Sequence, residues 1–373
     1  MKRVQIIAAV AACASLIAGT ALTRASADLT AQSPVSDPTL QTRIVRARTA
    51  ILSGSSRPGD LIAELQNILA IEPALAEAHL LLGMAYQVVG RDMLAEAVAE
   101  FRQALALDPT LVAARLYLAN AYLDLGRAER AREELEAALK QTPGQMQFTT
   151  MLAEAERRAG NPERALQLAQ QVVAANPSAA QARHYAAMAL LDLKRRPEAI
   201  AELERLVAAG VTPIDVTSTL GSAYLEDGRV DDAVKMLLVA TQAAPTRPDL
   251  RIALARAHRL GGRLVEAEAQ LAQALPPGAN REASEFYETA EADIHLETGL
   301  IRIAQNRSSE AVKELTLALG LRPTHGPTHR HLAELYMKQG QPAQATTHAR
   351  AARDAGEVLA DTLLSLIATP PTR

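Results

Sequence analysis

The chain has 373 residues, is 49% hydrophobic but only 3% aromatic, contains no Trp and carries a formal net charge of −3. That balance lacks the basic footprint of a nucleic-acid binder, and its apolar residues are mostly Ala and Leu, both strong helix formers. A chain of this length holds either two ordinary domains or one long repeat array.

The first stretch reads as a targeting segment. A basic "MKR" precedes the apolar run "VQIIAAVAACASLIAGTALT", which ends in "RASAD". This order matches a secretory signal over residues 1–27, with an Ala25-Ser26-Ala27 cleavage site before Asp28. It predicts a periplasmic or secreted mature chain without membrane insertion. Two alternatives stay open. The run is near the length that spans a bilayer and would serve as an anchor; "VAAC", ending at Cys13, resembles a bacterial lipoprotein processing site. Cys13 is the only cysteine, so its removal leaves no intramolecular disulfide and no cysteine–metal site. Residues 28–41 are polar and Pro-interrupted, which reads as a flexible leader.

From residue 42 to 356 the chain repeats itself. Pro109, Pro143 and Pro177 lie 34 residues apart, and Pro73, Pro213 and Pro245 continue the series at intervals of 36, 36 and 32. Four repeats open with a small residue and a Tyr three positions on: Gly83 and Tyr86, Ala119 and Tyr122, Gly221 and Tyr224, Ala333 and Tyr336. A glycine follows, at 90, 126, 160, 228, 262 or 340. Then come two alanines seven apart, as in Ala97 and Ala104, Ala131 and Ala138, or Ala267 and Ala274. Apolar residues at three- and four-residue steps predict helices with one sticky face. Glycine supplies the positive φ that a helix end favours, and proline stops the second helix because it has no N–H to continue it. No single hairpin buries its apolar face alone, so neighbours must stack.

A 34-residue period with two helices per unit resembles the tetratricopeptide repeat family, along nearly the whole mature chain. The resemblance implies an all-α, right-handed superhelical α-solenoid. Nine repeats are predicted, starting near Thr42, Ala76, Val112, Met146, Ala180, Ile214, Pro248, Ala292 and Gly326. The first is degenerate, with "SGSSRPG" at its turn, as suits a terminal unit. An insertion at about 276–291 breaks the period, and 282–305 predicts one long helix. Glu282, Glu285, Glu288 and Glu291 recur there every three residues around Phe286 and Tyr287. That pattern is either an acidic-aromatic contact element or a solvated face. Residues 357–373 read as a capping helix and tail, with Leu359, Leu363, Leu366 and Ile367 packed on the ninth repeat.

Catalytic signatures are missing. The sequence has no GxSxG, P-loop or GxGxxG, and the array leaves no room for a catalytic domain. This predicts a non-enzymatic protein with no cofactor. His325, His329 and His331 crowd together without a ligand framework. The repeat register instead puts His79, His295 and His329 where the family often places Trp, and His258 in the Tyr slot, so no metal site is predicted.

In the family the first helix of each repeat lines a concave groove. The resemblance therefore implies a partner-binding surface of Leu80, Met84, Leu116, Asn120, Glu154, Arg157, His184, Met188 and Arg256, apolar at its N-terminal end and polar in the middle. The Lys-Asn-Arg clamp by which some members bind an acidic C-terminus is not matched, because its slots hold Leu80, Met84 and Leu116. These three apolar residues are equally read as covered by the leader or by the inner wall itself. The expected partner is a protein or peptide, bound through an internal segment or a helix. The overall reading is a scaffold of the bacterial cell envelope, with assembly of envelope complexes as the role that the resemblance suggests. The alternative is a structural spacer or oligomerisation module without a groove ligand.

Overall fold

A computed structural model describes residues 38–275 and 285–368. The signal segment, Cys13, most of the leader and Glu282 lie outside the described residues. Among the described residues there are nineteen α-helices and no strand, and no helix is long and apolar enough to cross a membrane. The chain divides into two compact units after Leu206.

The first unit holds α1 (Pro38–Ser53), α2 (Pro58–Ile71), α3 (Ala76–Val89), α4 (Leu94–Leu107), α5 (Val112–Asp124), α6 (Ala128–Gln141), α7 (Met146–Arg158), α8 (Pro162–Ala175), α9 (Ala180–Asp192) and α10 (Arg196–Ala208), in which the division falls. The second holds α11 (Ile214–Glu226), α12 (Val230–Ala243), α13 (Pro248–Leu260), α14 (Leu264–Ala274), α15 (Glu285–Ala304), α16 (Ser308–Leu321), α17 (Gly326–Lys338), α18 (Pro342–Asp354) and α19 (Ala360–Ala368). They follow one another as first and second helices of nine hairpins, with α19 left over. A 3-10 turn, Arg91–Met93, absorbs the two extra residues of the second hairpin.

Small residues set the distance between the helices of a hairpin. A Cβ on Gly83 of α3 would lie 2.5 Å from the Phe101 ring on α4, and one on Gly221 of α11 would lie 2.6 Å from Leu237 on α12. Gly299 of α15 meets Leu315 of α16 the same way, at 2.9 Å. The paired alanines of the second helices, Ala97 and Ala104 or Ala131 and Ala138, have no exposed surface. They let the next hairpin approach closely enough for its leucines to interlock.

Outside the second hairpin, the turn between the two helices is a Schellman cap. In the third hairpin the Arg127 amide donates to the Tyr122 carbonyl (2.8 Å) and the Gly126 amide to Leu123 (3.0 Å), with Gly126 at φ +71°. The fifth and eighth repeats place Lys194 (φ +61°) and Asn306 (φ +58°) in this same position. A side chain in the left-handed region costs about 1–2 kcal/mol relative to glycine. Lys194→Gly is expected to stabilise the fifth hairpin by about 1 kcal/mol, read as slower amide exchange in α9 and α10 and a higher urea midpoint.

Two features differ from the sequence reading, at the leader and at the C-terminal helix. The leader is shorter, because α1 begins at Pro38 and buries Leu40 (3% exposed) and Ile44. The long helix of the insertion is described over Glu285–Ala304, 20 residues against 13 or 14 in most others. Its added turns are held by Ala290 and Ile294, which join the apolar cluster of Ile252, Ala255 and Leu271. At the C-terminal end α19 packs on α18 and α17 through buried Ala360, while Leu359 (54%) and Leu366 (50%) stay exposed. Those two leucines do not seat on the ninth repeat.

Candidate functional site

The fourth position of the repeats that start at Ala76, Val112, Ala180, Pro248 and Ala292 carries a recurrent device, while Thr149 and Thr217 stand there in the fourth and sixth repeats. His79 reaches Glu100 on the second helix with Nδ1 (2.6 Å) and the Pro73 carbonyl with Nε2 (3.0 Å). Arg115 donates to Glu134 (2.7 Å), and His295 Nδ1 meets Glu314 (2.7 Å). Arg183 pairs with Glu202 and donates to the Pro177 carbonyl (3.1 Å). Arg251 donates to Gln270 (3.2 Å) and the Pro245 carbonyl (3.1 Å). A basic donor thus does by hydrogen bonds what an indole does by bulk: it ties the first helix to the second and to the turn before it. His79 and His295 are accounted for by this role, and His258 accepts from Arg263 Nε (3.2 Å).

The inner face of the first unit is organised around a buried acid. Glu154 of α7 is 4% exposed. Arg157 grips it through two bonds, 2.8 and 3.0 Å, and Arg158 through a third, 2.6 Å. The guanidinium groups then reach outward. Arg157 donates to Asp192 on α9 (3.0 Å), and Arg158 to the Leu123 carbonyl on α5 (3.0 Å). Burial pushes the Glu154 carboxyl up, but the Arg157 bonds and the charges of Arg157 and Arg158 outweigh it and hold it below the usual range. The bond to Glu154 pushes Arg157 further up in turn. The trio stays ionised and staples three successive repeats together.

This placement corrects part of the expected surface. Leu80 (1%) and Met84 (8%) are buried because α1 packs directly against α3, with an Arg48–Glu77 pair across the two helices. They are core residues in this structure, and they cannot anchor a partner. Glu154 and Arg157 are spent on the staple. Leu116 and Asn120 on α5, with His184 and Met188 on α9, are half-buried. They remain reachable from solvent.

In the second unit Arg256 of α13 is the most open of the expected residues, its side chain 46% exposed. Its Nε donates to Glu297 of α15 (2.6 Å), and Arg259 donates to the other carboxylate oxygen (2.9 Å). Glu297 itself is 1% exposed. Beside this pair lies a cavity of about 230 Å³ lined by Asp249, Ile252, Ala253, Arg256, Thr289, Ala290 and Asp293. Its lining mixes apolar Ile252, Ala253 and Ala290 with charged groups that are compensated, Asp249 by Arg247 and Asp293 by Arg322. Glu297 and the cavity were missed in the sequence. The available signal was the insertion, since the added turns of α15 supply Thr289 and Ala290.

Helix hairpins that bury alanine and leucine between neighbours define a helical-repeat protein. Tetratricopeptide repeat models match residues 88–155 and 224–287, 150–210, and 326–351, together more than half of the chain. The chain belongs to the tetratricopeptide repeat family. No curated protein sequence matches it. Among solved structures it is similar to the APC/C hetero-tetramer Cut9–Hcn1, at 15% identity and a TM-score of 0.62 over 88% of this chain and 63% of that one. It therefore spans less than two thirds of that relative. The human IFIT1 dimer with PPP-AAAA is 16% identical, with a TM-score of 0.54 over 80% and 79% of the two chains. The tetratricopeptide repeat protein TTC0263 of Thermus thermophilus is 27% identical, with a TM-score of 0.43 over 49% and 98%.

Proposed function

We propose that this protein is a non-catalytic scaffold exported to the bacterial envelope, which holds an internal segment of a partner protein on its first-helix faces and seats one partner side chain in the α13–α15 cavity. The observation that carries this reading is the cavity itself. At about 230 Å³ it is of side-chain size, its lining includes the apolar Ile252, Ala253 and Ala290, and its charges are already paired. Such a site rewards an aliphatic or aromatic side chain and asks for no free carboxylate. In the first unit Leu116, Asn120, His184 and Met188 offer the same mixture of apolar surface and hydrogen-bonding groups.

The export half of the reading rests on the basic, apolar and small-residue pattern of residues 1–27. It expects a mature N-terminus at Asp28. An acylated Cys13 gives the lipoprotein instead, and an intact Met1 in the membrane fraction gives the anchor. Site-specific photo-crosslinking from Ala253 in native envelopes tests the binding half. A discrete crosslinked protein that disappears when Arg256→Glu and Ala290→Trp are introduced supports it. Equal crosslinking with and without those substitutions removes the cavity from the interface and leaves the spacer reading.

A further inference from the structure

In the ninth repeat the basic residue at the fourth position meets a different partner. Where His79 has Glu100, His295 has Glu314 and Arg251 has Gln270, His329 of α17 faces His348 of α18. The two Nδ1 atoms are 2.9 Å apart and the ring centroids 5.2 Å. His329 Nε2 lies 2.9 Å from the Pro323 carbonyl, which can only accept, so Nε2 carries a proton. In the neutral pair His329 Nδ1 then accepts from His348 Nδ1. One added proton is tolerated, because His348 Nε2 can take it while Nδ1 goes on donating to His329. A second sets two N–H donors and two positive charges face to face.

The surroundings do not relieve this. Tyr336 of α17 stacks on His348 at 5.6 Å. His325, at the head of α17, bonds Thr328 and feels Arg322 after α16, Asp293 of α15, Glu357 before α19 and His329. Arg330 and His331 are taken up by Glu334, and Arg330 also by Glu357. Among the described residues no carboxylate bonds either ring of the pair.

We propose that the α17–α18 hairpin is an acid-sensitive latch, which loosens below about pH 6.5 and releases α19 with it, while the hairpin built on His79 and Glu100 keeps its grip. The two sites respond with opposite sign. Burial and the charge of His329 push His348 down, so the unfolded hairpin takes up protons that the folded one refuses. Its stability falls as pH drops through the ordinary imidazole value toward that lowered one. At His79 burial pushes down, but the Glu100 bond and the Pro73 carbonyl win and the group is raised. Its contribution is complete below the ordinary imidazole value and fades only as pH rises through the raised one.

Hydrogen exchange on the full chain at about pH 7.5 and about pH 5.5, corrected for intrinsic rates, tests the latch. Residues 326–368 are expected to lose protection roughly three- to tenfold on acidification, the worth of one lost hydrogen bond, while 76–107 hold theirs. His348→Glu supplies the carboxylate that faces His79 and His295 in their repeats and should abolish or reverse the loss. Unchanged protection at 326–368 in the wild type, or an equal loss in His348→Glu, overturns the proposal. If that variant fails to fold, imidazole NMR of the wild type decides. Coupled titration of His329 and His348, with His348 below the ordinary range, supports the latch. Independent titration of both at ordinary values overturns it.

Discussion

Replacing Glu297 by alanine is expected to destabilise the second unit by about 3–5 kcal/mol, the range for removing one partner of a buried ion pair. The side chain is 2% exposed and is the shared acceptor of Arg256 and Arg259. Its removal leaves Arg259, only 17% exposed, with a buried charge and no acceptor from α15. Arg256 is nearly half exposed and recovers water, so the lower part of the range is expected. Glu297→Gln keeps an oxygen for one guanidinium and should cost less than half as much. Urea unfolding with amide exchange on α13 and α15 reads both. A loss below about 1 kcal/mol for Glu297→Ala, the size of an exposed pair, would mean that the α13–α15 contact rests on its apolar cluster alone.

The second large effect is expected at Gly83. In an open helix Gly→Ala stabilises by roughly 0.5–1 kcal/mol. Here the new Cβ would stand 2.5 Å from the Phe101 ring, and Phe101 has no exposed surface into which to retreat. Gly83→Ala is therefore expected to cost about 1–3 kcal/mol through overpacking. The corresponding pair of the third repeat is Ala119 and Leu135, both fully buried. The double variant Gly83→Ala, Phe101→Leu recreates that pair and should recover part of the loss, since the two sites touch and their effects do not add. Amide exchange should place the damage in the second hairpin and its neighbours, because repeats contact only the next unit. No recovery in the double variant would show that the helix backbones, rather than the ring, set the spacing.

Much of the architecture was legible because repeat folds write tertiary contacts at a fixed sequence distance. The proline interval, the glycine turns and the paired alanines each report a local necessity: a helix stop, a positive φ, a close approach. Lys194 and Asn306 escaped that reading because a left-handed residue without glycine leaves little trace in sequence. The start of α1 at Pro38 escaped it because Leu40 and Ile44 look unremarkable until α2 covers them.

The expected groove was only partly right in kind. The sequence could assign Leu80, Met84, Glu154 and Arg256 to the inner side of first helices, since side-chain direction follows helical period. It could not say how closely adjacent first helices approach. That distance buries Leu80 and Met84, closes Arg157 and Arg158 onto Glu154, and leaves Arg256 open beside a cavity. The fourth-position histidines show the same division. Their register was readable from the period, but whether the facing residue is Glu100, Glu314 or His348 depends on how two helices pack across a turn. Period and turn chemistry are properties of the chain itself, and they determined the family and the hairpins. Which polar groups meet, which are buried and which stay open to solvent depends on side-chain packing between repeats, and only the tertiary structure decided that.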